Sequence, residues 1–343
     1  MMHTPPHSSK RQSGIELARI VSMALVLMSH AGFYSVGMPK FDDFMANPLG
    51  APLTIIYESF TYVCVNVFVL ISGWFGIHFK CSRILNLIFQ VLFISIFTRT
   101  LLVATGYTTI PNRLELVDFL SMHCYWFVPA YILLYALSPV LNAFVENGSR
   151  IEVKRFLLFF YVVQTVYGWL LKDGVFHYGY SILSFVGLYL LARYIHLYKP
   201  DWSKLSKKYD LALYVLLSLM TAAFSILQIL SCHGDGWWPF MYLSPLVVSA
   251  SVFLFLFFAK MKLQNKKINL LASSVFAVYL VNCEPSSFNA FTSCIAKWNL
   301  TNDVLPFMLK TSLLLVLVFG VSWLLDRVRL LMWNFISVKS KNV

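Results

Sequence analysis

The chain has 343 residues, of which 59% are hydrophobic and only 12% charged, with a mean hydropathy of +0.70 and a formal net charge of +12. Soluble domains carry about 25% charged residues, so a water-soluble globule is excluded. The basic balance suits anionic lipid rather than nucleic acid, because no basic stretch interleaves with a nucleic-acid fold.

Apolar segments of roughly 17 to 25 residues recur along the whole chain, which is the length that crosses a bilayer as helix and too long for barrel strands. They predict an all-α polytopic membrane protein of about ten spans: 14–36, 54–77, 84–105, 124–145, 155–172, 178–198, 209–231, 238–259, 268–290 and 306–326. The fifth and sixth also fit a re-entrant pair, since 155–172 is short and the turn through KDGVFHYGY is tight. Most of the 27 Lys and Arg residues fall in the N-terminal tail and in the connectors on that same side; Lys40, Arg113, Lys172, Lys297 and Lys310 fall on the other. The asymmetry predicts both termini in the cytoplasm.

The chain then divides into a cytoplasmic tail 1–13, a membrane domain 14–326 and a cytoplasmic tail 327–343, with no separate soluble domain expected after it. Residues 10–31 are too long an apolar run, and lack a small-residue cleavage site, to read as a cleaved signal peptide. The six cysteines show no C-x-x-C spacing and are assigned to packing. No fixed repeat or internal two-fold is visible.

The first span, SGIELARIVSMALVLMSHAGF (13–33), is apolar yet holds Glu16, Arg19 and His30. Each ionisable group inside a span costs about 2.5–3.5 kcal/mol on insertion scales, so it marks a functional site by default. Arg19 and His30 are eleven residues apart, about three turns plus 20°, so they share a helix face about 16 Å apart along the axis. Glu16 lies one turn below Arg19, where it pairs with, orients or neutralises it. Snorkelling explains an arginine near a headgroup, and an interhelical hydrogen bond explains a buried histidine. An imidazole, however, also exchanges protons near neutral pH.

Arg19, ten intervening residues and His30 reproduce the R-x10-H pattern of the first helix of the membrane acyltransferase 3 family, and IELARIVSM resembles its opening. The second span, VNVFVLISGWFGI (65–77), is similar to the family's helix ending in a Ser-Gly-aromatic step, followed by the basic connector FKCSRI. YWFVPAYILLYALSPVLN (125–142), GYSILSFVGLYLLARYI (179–195) and SSVFAVYLVN (273–282) resemble its later spans in order, so the resemblance is nearly end to end. Among the family's branches the pattern is most similar to bacterial exopolysaccharide and cell-surface glycan O-acyltransferases.

The resemblance implies a multi-pass protein of the bacterial inner membrane. It implies an acyl-CoA donor, acetyl-CoA first among them, and a polysaccharide or lipid-linked glycan hydroxyl as acceptor; no permanently bound cofactor and no metal are expected. His30 and Glu16 form the catalytic set, with His30 as general base or as a transient acyl-histidine. Arg19, with Lys80 and Arg83 of the connector, holds the anionic carrier. Trp126, Tyr131 and Asn142 are the substrate-binding candidates; Trp126 reads as a sugar-stacking platform or as an interfacial belt residue, and Ser138 and Asn142 as helix-helix contacts or donor contacts. Arg99, in the outer half of the third span, is expected to face the protein interior or a vestibule. After VYLV the family commonly has His where this chain has Asn282, which cannot exchange a proton near neutral pH, so Asn282 stays outside the catalytic set. A glycan transporter or flippase with no acyl transfer, and a surface-glycan polymerase, are the competing readings.

Overall fold

The computed structural model describes residues 11–113, 115, 117, 122, 124–232, 234–301 and 303–339. Residues 1–10 and 340–343, which hold most of the expected N-terminal tail and the end of the expected C-terminal one, lie outside the described residues. Among those described, no strand occurs.

The chain begins with α1 (Ser13–Ala31), a short α2 (Phe41–Ala46), and α3 (Gly50–Thr61) running into α4 (Cys64–Phe75). There follow α5 (Cys81–Ala104), α6 (Phe127–Asn147), α7 (Arg150–Val163), α8 (Ile182–Tyr198), α9 (Lys207–Cys232) and α10 (Pro245–Ala259). The last third comprises α11 (Lys266–Ala272), α12 (Val275–Cys283), α13 (Pro285–Thr301) and α14 (Val304–Lys339).

Among the described residues seven helical stretches are long and apolar enough to cross a membrane, and the bent unit Lys266–Cys283 plus Pro285–Thr301 makes an eighth if it is one span. The protein is thus a helical multi-pass membrane protein. The remaining two of the ten expected spans are the fifth and sixth: α7 opens on charged residues and continues as a π-helical turn at Gln164–Leu170, and α8 is a shorter apolar helix. The ninth expected span, 268–290, is bent by 79°. Pro285 explains the bend, since proline lacks an N–H and pushes the preceding residue out of helical geometry; Glu284 sits at φ −61°, ψ 129°. Helix α14 runs unbroken through 326, where the tail was expected to start.

Local chemistry accounts for other ends and irregularities. Ser149 caps α7 by accepting from Glu152 N–H, while the Glu152 carboxylate accepts from Ser149 N–H at 2.8 Å. Inside α6, Pro139 cannot donate to the Tyr135 carbonyl four residues back, and the Ser138 hydroxyl donates to it instead at 2.7 Å. A membrane helix tolerates proline only where such a substitute donor exists.

Helix α1 is the hub, packing on α3, α4, α10, α11, α12, α13 and α14. At its start, Ser13 Oγ donates to Asn269 Oδ1 at 2.8 Å, and Arg11 to the Asn269 carbonyl. Arg327 of α14 reaches the Leu270 carbonyl and Ser273 beside it, so the beginning of α1 and this part of α14 meet around α11 on one face of the bundle. Arg329, inside the stretch expected as the C-terminal tail, is only 2% exposed; it bonds Asp326 at 2.6 Å and Asn86 at 2.9 Å. A buried charge persists only when paired in this way.

Helix α4 approaches α8 closely at Gly73, in the Ser-Gly-aromatic step. A Cβ there would lie 2.4 Å from the Tyr189 carbonyl oxygen and 2.9 Å from Ala192 Cβ. Small residues at membrane crossings allow such backbone approach. Gly73→Leu is therefore expected to destabilise the bundle by about 1–3 kcal/mol, the usual range for overpacking. A melting temperature in detergent equal to wild type would contradict this.

Candidate functional site

The last turn of α1 leaves carbonyls without helical donors. Ser35 Oγ donates to the His30 carbonyl at 2.6 Å, closing the end just past the histidine. The ring of His30 projects from this turn between two aromatic edges, Tyr34 at 5.3 Å and Phe288 of α13 at 5.1 Å between centroids. Its Nδ1 lies 2.5 Å from the Oδ1 of Asn282 on α12. An amide oxygen only accepts, so in the neutral ring Nδ1 carries the proton and Nε2 keeps its lone pair.

His30 lines a cavity of about 550 Å³, counted with its open mouth. Met23, Val26 and Ser29 of α1, Cys64 and Phe68 of α4, Trp126 and Phe127 at the start of α6, Tyr242, and Phe276 and Tyr279 of α12 complete much of its wall. Arg19, Met23, Val26 and His30 follow one another at steps of four, three and four residues, a single stripe of α1. The cavity occupies the C-terminal part of that stripe, and Arg19 continues it toward the α11 end of the bundle.

Arg19 is about a third exposed and holds Glu16 at 3.1 Å. Glu16 itself is 7% exposed and lies 14 residues below His30 (30 minus 16), about 21 Å along the helix. It is a partner of Arg19 and is not among the residues that line the cavity. Lys80 and Arg83 are exposed at the start of α5, away from the cavity lining.

Trp126 lines the cavity, edge-on to Tyr180 at 4.5 Å and near-parallel to Tyr242 at 6.2 Å. On these sides its neighbours are protein aromatics. Tyr180 is carried there by a loop in which His177, Tyr178 and Gly179 all have positive φ. A Cβ on Gly179 would strike Tyr242 Cβ at 2.6 Å, so only glycine fits. Tyr131 is one step removed: its ring stacks on Phe127 and its hydroxyl meets Ser72 Oγ at 3.2 Å. Asn142 is remote from the cavity. Its amide donates to the Ile77 carbonyl at 2.9 Å and accepts from Tyr189 at 2.7 Å, fixing the turn after α4.

Two features escaped the reading of the sequence. Glu58 of α3 is fully buried; it accepts from the Ser29 hydroxyl and from Phe33 N–H at 3.3 Å, tying α3 to the end of α1 beside His30. An ionisable residue in the apolar run IIYESF was visible by the rule that singled out the first span. The other is the bracing of the bend. Arg99 Nε donates to Glu284 Oε1 at 2.7 Å, the other Glu284 oxygen accepts from Ser287 N–H at 2.8 Å, and Tyr125, bonded to Ser95, donates to the Leu280 carbonyl at 3.1 Å. The expectation that Arg99 faces inward fits this contact. Asn282 and Phe288 reach His30 from either side of the braced turn. Among the described residues no cluster of three or more metal-ligating side chains occurs.

A basic nitrogen held in one tautomer within an apolar cavity is equipment for moving a proton off a hydroxyl. No curated protein and no solved structure matches the chain. The family model described as an acyltransferase domain matches residues 12–327, from the start of α1 through the Arg327 that closes over α11. A match of that length shows the family: the chain belongs to the membrane acyltransferase 3 family and is a membrane acyltransferase.

Proposed function

We propose that this acyltransferase takes an acyl group, acetyl in the first instance, from cytoplasmic acyl-CoA and places it on a hydroxyl of a bacterial surface or exported polysaccharide, or of its lipid-linked precursor. It works in the bacterial cell membrane with both termini in the cytoplasm and the chain crossing about ten times. The observation that carries the reading is the single stripe of α1, with a guanidinium at one end and a cavity-facing imidazole at the other. A CoA thioester has the same polarity: phosphates at one end of a long arm, a reactive carbonyl at the other.

In this scheme Arg19, assisted by Lys80 and Arg83 near the cytoplasmic surface, binds the phosphates through charge-assisted hydrogen bonds. The acceptor enters from the opposite face and stacks on Trp126, with Tyr131 buttressing Phe127 behind it. His30 Nε2 takes the proton of the attacking hydroxyl, and the resulting imidazolium returns a proton to the departing thiolate. Asn282 holds the ring through Nδ1. Asn142 has a structural part here, bridging the Ile77 carbonyl and the Tyr189 hydroxyl.

The bend at Glu284 is a feature that a transporter would share, since broken helices are common at transport sites. Proteoliposomes given acetyl-CoA labelled in the acyl group, with a glycan acceptor, separate the two readings. Label is expected on the glycan as an ester, from which mild base releases it as acetate. Movement of glycan across the bilayer with the thioester left intact would overturn the proposal.

A further inference from the structure

On the side facing Arg19, the cavity ends in apolar side chains from three helices. Phe33, just past α1, and Tyr62, just before α4, both meet Phe240 edge-on, at 5.1 and 5.4 Å between centroids. Helix α4 therefore starts level with the end of α1 and runs back toward Arg19, and Phe68 is its last cavity-lining residue. Asn269 of α11 meets Ser13 at the start of α1 and Asn282 of α12 meets His30 at its end, so α12 runs alongside α1 in the same direction. Its first lining residue is Phe276, and the first on α1 is Met23. One turn beyond Phe68 the chemistry changes: Ser72 Oγ donates to the Phe68 carbonyl at 3.1 Å and accepts from the Tyr131 hydroxyl at 3.2 Å. Among the described residues lining the cavity, none is Lys, Arg, Asp or Glu.

We propose that Met23, Phe68 and Phe276 form a collar through which the donor's acyl group enters the cavity, and that this collar selects small, uncharged acyl groups. The inference rests on the acyl-CoA reading above, in which the carrier stays at Arg19 and its arm reaches His30. Met23 lies between them, about 6 Å along the axis from Arg19 and about 10 Å from His30, so the leading acyl group passes this ring of side chains first. Phe68 and Phe276 present rigid phenyl rings. Met23, 2% exposed, is unbranched and flexible, so it is the member that yields to the arm and closes round it. The room it can yield is finite, and a hydrophobic site discriminates by about 10- to 200-fold for one methylene of misfit. An acyl group that carries a carboxylate, such as succinyl, meets a second barrier: no cation lines the cavity to offset its loss of water. The Ser72–Tyr131 hydroxyls, on the Arg19 side of the collar, suit the amides of the pantetheine arm instead.

Purified protein is titrated calorimetrically with three unreactive ketone analogues, of acetyl-, butyryl- and succinyl-CoA, in which a methylene replaces the thioester sulfur. Wild type should bind the acetyl analogue at least about 10-fold more tightly than either of the others. Met23→Ala should bring the butyryl analogue to within about threefold of the acetyl one, because it removes the misfit. The succinyl analogue should stay behind, since alanine adds room but no charge. Each result is a ratio of affinities within one preparation, so a loss of folded sites does not imitate it. Phe276→Leu trims the collar from α12; it should move the same ratio in the same direction, and it carries the test if Met23→Ala does not fold. Equal binding of the acetyl analogue and either other analogue by wild type, or a butyryl ratio unmoved in the folded variants, would overturn the collar alone. If wild type binds none of the three, the acyl-CoA reading falls and takes this inference with it.

Discussion

Replacing His30 by alanine is expected to reduce acyl transfer by about 10²- to 10⁴-fold, the usual contribution of a positioned general base. The loss should fall on kcat, because the ring meets the acyl end of the donor and not the carrier. His30→Gln is the informative companion: its amide refills the space between Tyr34 and Phe288 and can still donate to Asn282, but it has no basic nitrogen. A structural histidine would be rescued by it and a base would not. The two variants should be equally inactive and should melt within a few degrees of wild type. Near-normal transfer by either, measured with labelled acetyl-CoA in detergent, would end any role for His30 as base or as acyl carrier.

How much of this site was legible in advance differs from residue to residue. The first span stood out because charge inside hydrocarbon is expensive, and that same cost made Glu58 detectable, although its surroundings in IIYESF resemble an ordinary span start. The bend at Glu284 was implicit in Pro285, but proline is tolerated within membrane helices, as at Pro139, so sequence did not say whether 268–290 would kink or continue. Trp126 shows a different limit. Lipid and a neighbouring aromatic side chain are equally apolar, so neither hydropathy nor position separates a belt residue from a cavity wall; only the packing of Tyr180 and Tyr242 decides it. Asn282 was set aside because it cannot exchange a proton. The reasoning was sound for a base but silent on a residue that acts by hydrogen bonding to one.

Among the expected spans, the fifth and sixth differ most from a uniform apolar helix. Helices α7 and α8 have the expected positions, but α7 opens with Arg150, Glu152, Lys154 and Arg155, and its apolar part passes into a π turn. Length and mean hydropathy describe a helix facing lipid along its whole length. A helix shielded by neighbours, such as the largely buried α8, meets the bilayer on other terms.

Arg19→Ala is expected to act on the opposite half of the reaction. Hydrogen bonds to charged groups contribute about 1.5–3 kcal/mol, so the dissociation constant for acetyl-CoA should rise by roughly 10- to 150-fold. The turnover of bound complex should change far less, because Arg19 lies three helical turns from His30 and outside the cavity wall. Arg19→Lys keeps the charge but loses the fork that grips two phosphate oxygens, so it should fall between alanine and wild type. Glu16 sharpens the test. It engages Arg19 in a partly exposed pair, which is worth only a few tenths of a kcal/mol, so Glu16→Gln should shift donor affinity by about twofold and leave kcat intact. A catalytic Glu16 would instead abolish turnover. Donor affinity also depends on contact between formal charges near water, so it should weaken with added salt in wild type and lose part of that dependence in Arg19→Ala. Equilibrium binding of labelled acetyl-CoA across a salt series measures all three variants on one scale. Equal affinities for wild type and Arg19→Ala would mean that the phosphates are held elsewhere and that the stripe on α1 is not the donor's path.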